Sequence, residues 1–296
     1  MIYYLAALGA ALAWAISGIL SANPSAALGS IAFVRIRMTM VFFMLAAVVL
    51  ITGSWRTVET THITPTIISG LVGILAGDAA LFATMNRVGP RRSGILFSSN
   101  AIFSVILGWL FLQEKLDPIT LIGIVIALAG VMLAILFGKR GTDVHQWEDI
   151  KGPLAIGIAI GLFSGLCQAI GSIVARPVMA TGVDPIAIAA IRVGIASLGL
   201  TLAMFAGVPA TRAKTALTPK LTGQVALSGF AAMGVGMTLL LFALRGGEVG
   251  IVATLSATTP ALLLPLLWWK TGERPPVLAW VGAALVVVGS GLIFAA

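Results

Sequence analysis

Residues 139–151 read KRGTDVHQWEDIK, the longest polar stretch in the chain. Outward from it in both directions the sequence is almost wholly apolar. Stretches of 18 or more residues that carry no Asp, Glu, Lys or Arg include these nine: 1–34, 38–55, 93–113, 118–138, 152–175, 193–211, 221–244, 249–269 and 275–296. A tenth, Pro65 to Asn86, is interrupted only by Asp78. A membrane helix needs roughly 20 mainly apolar residues. The pattern predicts spans at 3–21, 31–52, 65–86, 93–112, 119–138, 153–175, 186–207, 221–244, 249–269 and 277–295. The expected fold is therefore an all-α integral membrane protein with ten transmembrane helices. Five belong to residues 1–140 and five to 153–296, joined by a loop at 141–152.

Composition agrees. Of 296 residues, 18 are Lys or Arg and 10 are Asp or Glu, or 9% charged, while 59% are hydrophobic. Mean hydropathy is +1.09. A soluble domain carries about 25% charged residues, so this chain could not cover itself in water. A soluble enzyme, a disordered protein and a disulfide-stapled secreted domain are excluded. The alternation of a membrane β-barrel is absent. The first apolar run begins almost at Met1 with no Lys or Arg before it, and it is long for a leader, so it reads as the first span.

The two sets of five resemble each other. Displaced by 159 residues, Glu114-Lys115-Leu116-Asp117-Pro118 meets Glu273-Arg274-Pro275-Pro276-Val277, Gly123 meets Gly282, and Gly130 meets Gly289. A shift of 157 brings Ile31-Ala32 and Arg35 onto Ile188-Ala189 and Arg192, and one of 160 brings Leu81-Phe82-Ala83 onto Leu241-Phe242-Ala243. An odd number of spans per copy requires the second copy to cross the membrane upside down. Inverted repeats around a midplane site are a recurrent transporter architecture, with alternating access by rocking. Gly157, Gly161 and Gly165, and Gly73 with Gly77, are spaced for close helix packing.

These features resemble the drug/metabolite transporter superfamily, specifically its EamA type, over nearly the whole chain. The resemblance rests on five plus five spans, on Glu114 and Glu273 closing the fourth and ninth before Gly123 and Gly282, and on Arg35 and Arg192 near the starts of the second and seventh. It implies a central cavity bounded by spans 1, 3, 4, 6, 8 and 9, with 5 and 10 peripheral. It also implies export of amino acids or related metabolites, and the layout is similar to the YddG-like amino-acid exporters. The only tyrosines, Tyr3 and Tyr4, stand at the chain start, and the candidate cavity aromatics reduce to Trp14, Phe82 and Phe163. That departs from an aromatic-lined pocket.

An ionisable group in hydrocarbon costs about 2.5–3.5 kcal/mol and so turns toward the bundle interior. Asp78, mid-way through the third span, is the only acid so placed. It is expected either to meet a substrate ammonium or coupling proton, or to tie helices together beside a basic residue. Arg35 and Arg192 are expected to attract a carboxylate or phosphate or to snorkel to the interface. Arg35 and Arg37 are two positions apart and cannot both face one cavity. Ser98, Ser99 and Asn100 on the fourth span match Ala257, Thr258 and Thr259 on the ninth, which Pro260 and Pro265 follow. Such groups can hydrogen-bond a zwitterion, and the prolines free backbone carbonyls. Gln168 completes the expected substrate-binding set of Trp14, Asp78, Phe82, Ser99, Asn100, Phe163, Gln168 and Thr258.

No catalytic constellation emerges. The lone Cys167 permits no intrachain disulfide, and with only His62 and His145 besides, no metal or other cofactor is expected. The net charge of +8 comes from dispersed residues, which argues for membrane orientation rather than nucleic acid. Outside the spans, the N-terminal side receives Arg56, Lys115, Arg176 and Arg245. The other side receives Arg87, Arg91, Arg92, Lys139, Arg140, Lys151, Arg212, Lys214, Lys220, Lys270 and Arg274, a count of 4 against 11. The positive-inside rule then puts both termini outside the cytoplasm, opposite to the arrangement the family implies. The expected protein is a monomeric permease of the inner membrane whose partners are a small metabolite and the lipid bilayer. Efflux of lipophilic cations, with Asp78 as counter-charge, is the alternative, and a lipid or lipid-linked sugar flippase the next.

Overall fold

The computed structural model describes residues 1–114, 116–136, 152–271 and 276–295. The polar divider at 139–151, the last two residues of the predicted fifth span, Lys115, and the pair Glu273 and Arg274 lie outside them. Every regular element among the described residues is helical. In chain order they are α1 (Ile2–Leu28), α2 (Ser30–Thr52), α3 (Thr60–Ser69), α4 (Gly77–Leu112), α5 (Pro118–Leu136), α6 (Leu154–Ala180), α7 (Pro185–Phe205), α8 (Pro219–Gly229), α9 (Met237–Leu244), α10 (Val249–Ser256), α11 (Thr259–Thr271) and α12 (Val277–Ala295). Two π-helical segments, Gly70–Ala76 and Phe230–Gly236, join α3 to α4 and α8 to α9 without a break. Six segments are long and apolar enough to cross a membrane: Ile2–Ser21, Ser30–Thr52, Thr60–Val88, Leu154–Ala180, Pro185–Phe205 and Pro219–Leu244. Leu96–Leu112, Pro118–Leu133 and Val277–Ile293 are shorter apolar helices.

Helix starts follow local chemistry. Asp117, Asp184 and Thr218 each precede a proline at the first helical position and cap the backbone beyond it. Asp117 accepts from the Ile119 and Thr120 amides at 2.8 and 3.0 Å, Asp184 from Ile186 and Ala187 at 2.7 and 3.3 Å, and Thr218 from Leu221 at 3.3 Å. α3 begins five residues before the predicted span because His62 Nδ1 reaches back to the Glu59 amide at 3.1 Å. α1 persists through Pro24 to Leu28, past the predicted end at 21. A proline removes one backbone donor without ending a helix that is packed on both sides of it.

Two spans are less regular than hydropathy suggests. α4 folds back on itself: the Ser93 hydroxyl lies 3.3 Å from the Leu81 carbonyl, 12 residues away, where a straight helix would separate them by about 18 Å. The third predicted span thus comprises α3, the first π-helical segment and the first arm of α4, and the fourth is the second arm of α4. The predicted ninth span divides into α10 and α11 at Ala257 and Thr258. Pro260 has no N–H for the Ser256 carbonyl, which accepts the Thr259 hydroxyl at 2.9 Å instead.

The two halves show matching local geometry. The second π-helical segment begins 160 residues after the first (230 against 70). Ser99 and Asn100 bond the Leu96 and Phe97 carbonyls at 2.6 and 2.8 Å, and 159 residues on Thr258 and Thr259 bond those of Leu255 and Ser256 at 2.6 and 2.9 Å. α2 packs on α7 through a 2.8 Å bond between the Thr39 and Ser197 hydroxyls, 158 residues apart. α5 packs antiparallel on α12. A Cβ on Gly130 would come within 2.6 Å of the Gly282 carbonyl, and one on Gly289 within 2.6 Å of the Gly123 carbonyl. The buried core runs through Phe33, Met38, Ile74, Met179, Ile188 and Leu241, while Phe43, Ile51, Trp109, Phe205 and Val287 stay exposed. So apolar an exterior suits lipid rather than water.

Candidate functional site

α1, α2, both arms of α4, α6, the second π-helical segment, α9, α10 and α11 surround a cavity of about 590 Å³, within the usual range for small-molecule sites. α5 and α12 contribute nothing to its lining among the described residues. Its exposed rim includes Ala26, Asn86 and Lys214, and its floor includes the buried Arg37, Asp78, Asn100 and Gln168. α1 supplies a hydroxyl stripe at four-residue intervals, Ser17, Ser21 and Ser25, which one helical face presents together. Ser17 donates to the Ser228 carbonyl at 2.8 Å. The Trp14 indole donates to the Ala232 carbonyl at 2.9 Å, inside the second π-helical segment, whose widened turn frees such acceptors.

The floor carries the charge. Arg37 Nη2 donates to Asp78 Oδ2 at 2.9 Å. The guanidinium lies beside the edge-to-face pair of Phe33 and Phe82, 5.1 and 5.0 Å from their centroids, so cation–π attraction to both rings adds to the ion pair. Arg37 Nε is buried with no hydrogen-bond partner among the described residues. Behind the floor Arg192 is 0% exposed. Its Nη1 lies 3.2 Å from the sulfur of Met237, a lining residue, while Nε and Nη2 have no partner. Nη2 occupies the crossing of the first π-helical segment with α6, and a Cβ on Gly73 or Gly171 would stand 3.0 or 3.4 Å from it. Arg192 is within coulombic reach of Asp78, so two guanidiniums share one carboxylate.

At the opposite end, where α1 begins, polar contacts tie the helices and turns together. Arg176 Nε donates to the Gly247 carbonyl at 3.0 Å, and Arg245 donates to that of Gly182. Both Glu114 oxygens accept the Val249 amide, at 2.9 and 3.0 Å, capping α10. The Thr181 hydroxyl lies 3.1 Å from His62 Nε2, and Ser54 donates to Asp184 at 3.2 Å. In the turn before α10, burial followed by the charges of Glu114 and Asp117 pushes the Glu248 carboxyl up. Asp117 is held down by the Thr120 hydroxyl and backbone amides.

Five of the eight residues expected to bind substrate line the cavity together: Trp14, Asp78, Phe82, Asn100 and Gln168. Three do not. Phe163 is 51% exposed on the outer face of α6. Ser99 bonds the Leu96 carbonyl and faces α6, where a Cβ on Gly165 would lie 2.5 Å from its oxygen. Thr258 is wholly buried against its own helix. Arg35 turns away and donates to the Thr211 carbonyl at 3.1 Å. The cavity cation on α2 is Arg37, which sequence reasoning passed over because Arg35 matched Arg192. Its depth, two residues further into the span and facing the only intramembrane acid, was the available signal. The α1 serine stripe was also legible as a four-residue period.

The family model for the EamA-like transporter family matches residues 1–136 and 155–295. A stretch of 95 residues, 32% of this chain, is 30% identical to the uncharacterized transporter YetK of Bacillus subtilis (strain 168), spanning 29% of that relative's length. A solved crystal structure superimposes with a TM-score of 0.77 over 98% of this chain and 95% of its own, at 17% identity, which speaks to the fold alone. With both halves of the chain matched, it belongs to the EamA-like transporter family.

Proposed function

We propose that this EamA-family membrane transporter is a ten-helix permease of two inverted five-helix repeats. In this reading it moves small polar or amphipathic metabolites by alternating access, and amino acids, exported across the inner membrane, are the first substrate class. The observation that carries it is a cavity of about 590 Å³ with an exposed rim, floored by a buried Arg37–Asp78 pair at 2.9 Å. Fixed polar groups in an otherwise apolar cavity orient a small ligand. The hydroxyls of α1, Asn100 and Gln168 take its polar groups, and Trp14 and Phe82 its apolar part. The recurrence of the π-helical segments 160 residues apart, and of Ser99–Asn100 as Thr258–Thr259, supports the repeat and its division at 141–152. Antiparallel packing of α5 on α12 supports the inversion.

Efflux of lipophilic cations needs Asp78 as a free counter-charge. Its pairing with Arg37 favours the metabolite reading. The cavity rim lies at the end that carries Arg212, Lys214 and Lys220, so the positive-inside rule turns it toward the cytoplasm and leaves both termini outside. The test is uptake of radiolabelled amino acids into liposomes holding the purified protein, with Asp78→Asn in parallel. Uptake above empty liposomes, competed by unlabelled amino acids, is the expected result. Absence of uptake by folded protein inserted in both orientations would sink the amino-acid assignment.

A further inference from the structure

We infer, building on the permease reading, that the cavity selects small organic anions: substrates whose carboxylate or phosphate oxygens take the spare N–H donors of Arg37. The charge balance of the cavity points this way. Among the described lining residues the ionisable groups are Arg37, Lys214 and Asp78, and Asp78 is already engaged by Arg37. Arg192 adds a further buried positive charge directly behind Met237. The buried floor therefore holds two cations, Arg37 and Arg192, against the one acid Asp78, a surplus of one positive charge where low dielectric magnifies it, and Lys214 adds a solvated one at the rim. A cationic substrate would meet that surplus with no free carboxylate to receive it. A zwitterion would satisfy the cations with its carboxylate but leave its ammonium without a counter-charge.

The donor geometry is equally one-sided. A guanidinium carries five N–H donors and no acceptor, and Asp78 takes one of Arg37's at 2.9 Å while Nε has no partner. The Phe33 and Phe82 rings pack beside the guanidinium and Nε is buried, so the donors offered to a carboxylate or phosphate are the terminal N–H groups of this cavity-lining arginine that Asp78 does not take. The side-chain amides of Asn100 and Gln168 supply neutral donors on the facing walls. Lys214 sits exposed at the rim, where a single charge attracts an entering anion without binding it tightly.

The test is counterflow into liposomes holding the full chain, with radiolabelled L-aspartate, succinate and glycerol phosphate set against L-alanine and L-lysine. At least one anion is expected to exceed both alanine and lysine by about tenfold or more. The carboxylate and phosphate arms tell which oxyanion is carried. Arg37→Gln combined with Asp78→Asn keeps the floor neutral and is expected to lower anion counterflow on the order of 30-fold. Lys214→Gln, at an exposed position that leaves folding intact, is expected to raise the anion KM about threefold at low salt and to lose that effect at high salt. Alanine or lysine carried as well as the anions would overturn the anion inference and leave the permease reading standing. Anion counterflow that survives both variants would overturn the role of this charge cluster. No counterflow of any label by folded protein would overturn both readings.

Discussion

The two π-helical segments occupy equivalent places in the two halves, yet one is sealed and the other lines the cavity. Gly70–Ala76 crosses α6 with backbone against backbone: a Cβ on Gly171 would stand 2.7 Å from the Gly73 Cα. Ser69 and Ser164 fasten that crossing through the Gly171 and Gly77 carbonyls at 2.6 and 2.8 Å. Phe230–Gly236 crosses α1 with the Trp14 indole in between, and Ala232 and Met233 line the cavity. At the repeat spacing of 160, Gly73 corresponds to Met233 and Asp78 to Thr238, whose hydroxyl merely bonds its own Gly234 carbonyl at 2.6 Å. Shared geometry thus supplies two crossings of one kind, while side chains decide which is tight and place Asp78 beside only one of them.

The largest effect is expected at the charge that distinguishes the halves. Arg37→Ala leaves Asp78 in the cavity floor without its bonded partner and should destabilise the protein by about 3–5 kcal/mol, read as thermal unfolding in detergent micelles. Adding Asp78→Asn should recover most of that loss, because the neutral pair no longer strands a charge. A double variant as unstable as the single one would show that Arg37 acts by packing beside Phe33 and Phe82. Next comes the sealed crossing. Gly171→Val sets a branched side chain against the Gly73 backbone, which cannot give way as a side chain can, and should cost about 3 kcal/mol. The open crossing should be more forgiving. A Cβ at Gly236 would lie 2.6 Å from Trp14 Nε1, but the indole can turn into the cavity, so Gly236→Ala should cost about 1 kcal/mol, the worth of the Trp14–Ala232 bond. Its signature is a shift in tryptophan emission abolished by Trp14→Phe. Equal penalties at Gly171 and Gly236 would erase the distinction between the crossings.

Hydropathy identified an all-helical chain with long apolar segments, six of which are long enough to cross a membrane, and it located Asp78 because a lone acid in such a run stands out. It did not reveal the π-helical segments, since a change of backbone hydrogen-bond register leaves composition untouched. It did not divide α10 from α11, where the break follows from the missing N–H of Pro260 and the hydroxyl of Thr259. Phe163 was read as a cavity aromatic because lipid-facing and interior-facing sides of a membrane helix are both apolar, which removes the amphipathic signal that separates faces in a soluble protein. Arg35 was preferred to Arg37 for the same reason. Repeat matching compares positions along the chain, whereas the cavity selects by depth and by helix face, and two residues along a helix reverse the face.

The smallest expected effect separates the two ends of the molecule. The end with the cavity rim carries Lys214 and the opposite end gathers Glu114, Asp117 and Glu248. Glu248 is half-buried between α9 and α10, and burial together with the Glu114 and Asp117 charges raises its pKa. A carboxyl raised in the folded state binds its proton more tightly there than when unfolded. The resulting stabilisation is full below about pH 4.5 and is lost as pH rises through the folded pKa. Glu248→Gln keeps the hydrogen-bonding shape and removes the titration. Its thermal midpoint should therefore lie above that of the parent at neutral pH, with the gap closing on acidification. Asp117, held down by the Thr120 hydroxyl and nearby amides, runs the other way, so Asp117→Asn should lose stability at neutral pH, where its cap is charged, and converge with the parent in acid. If both variants moved in the same direction with pH, that opposite end would be governed by net charge alone rather than by the separate surroundings of its two carboxyls.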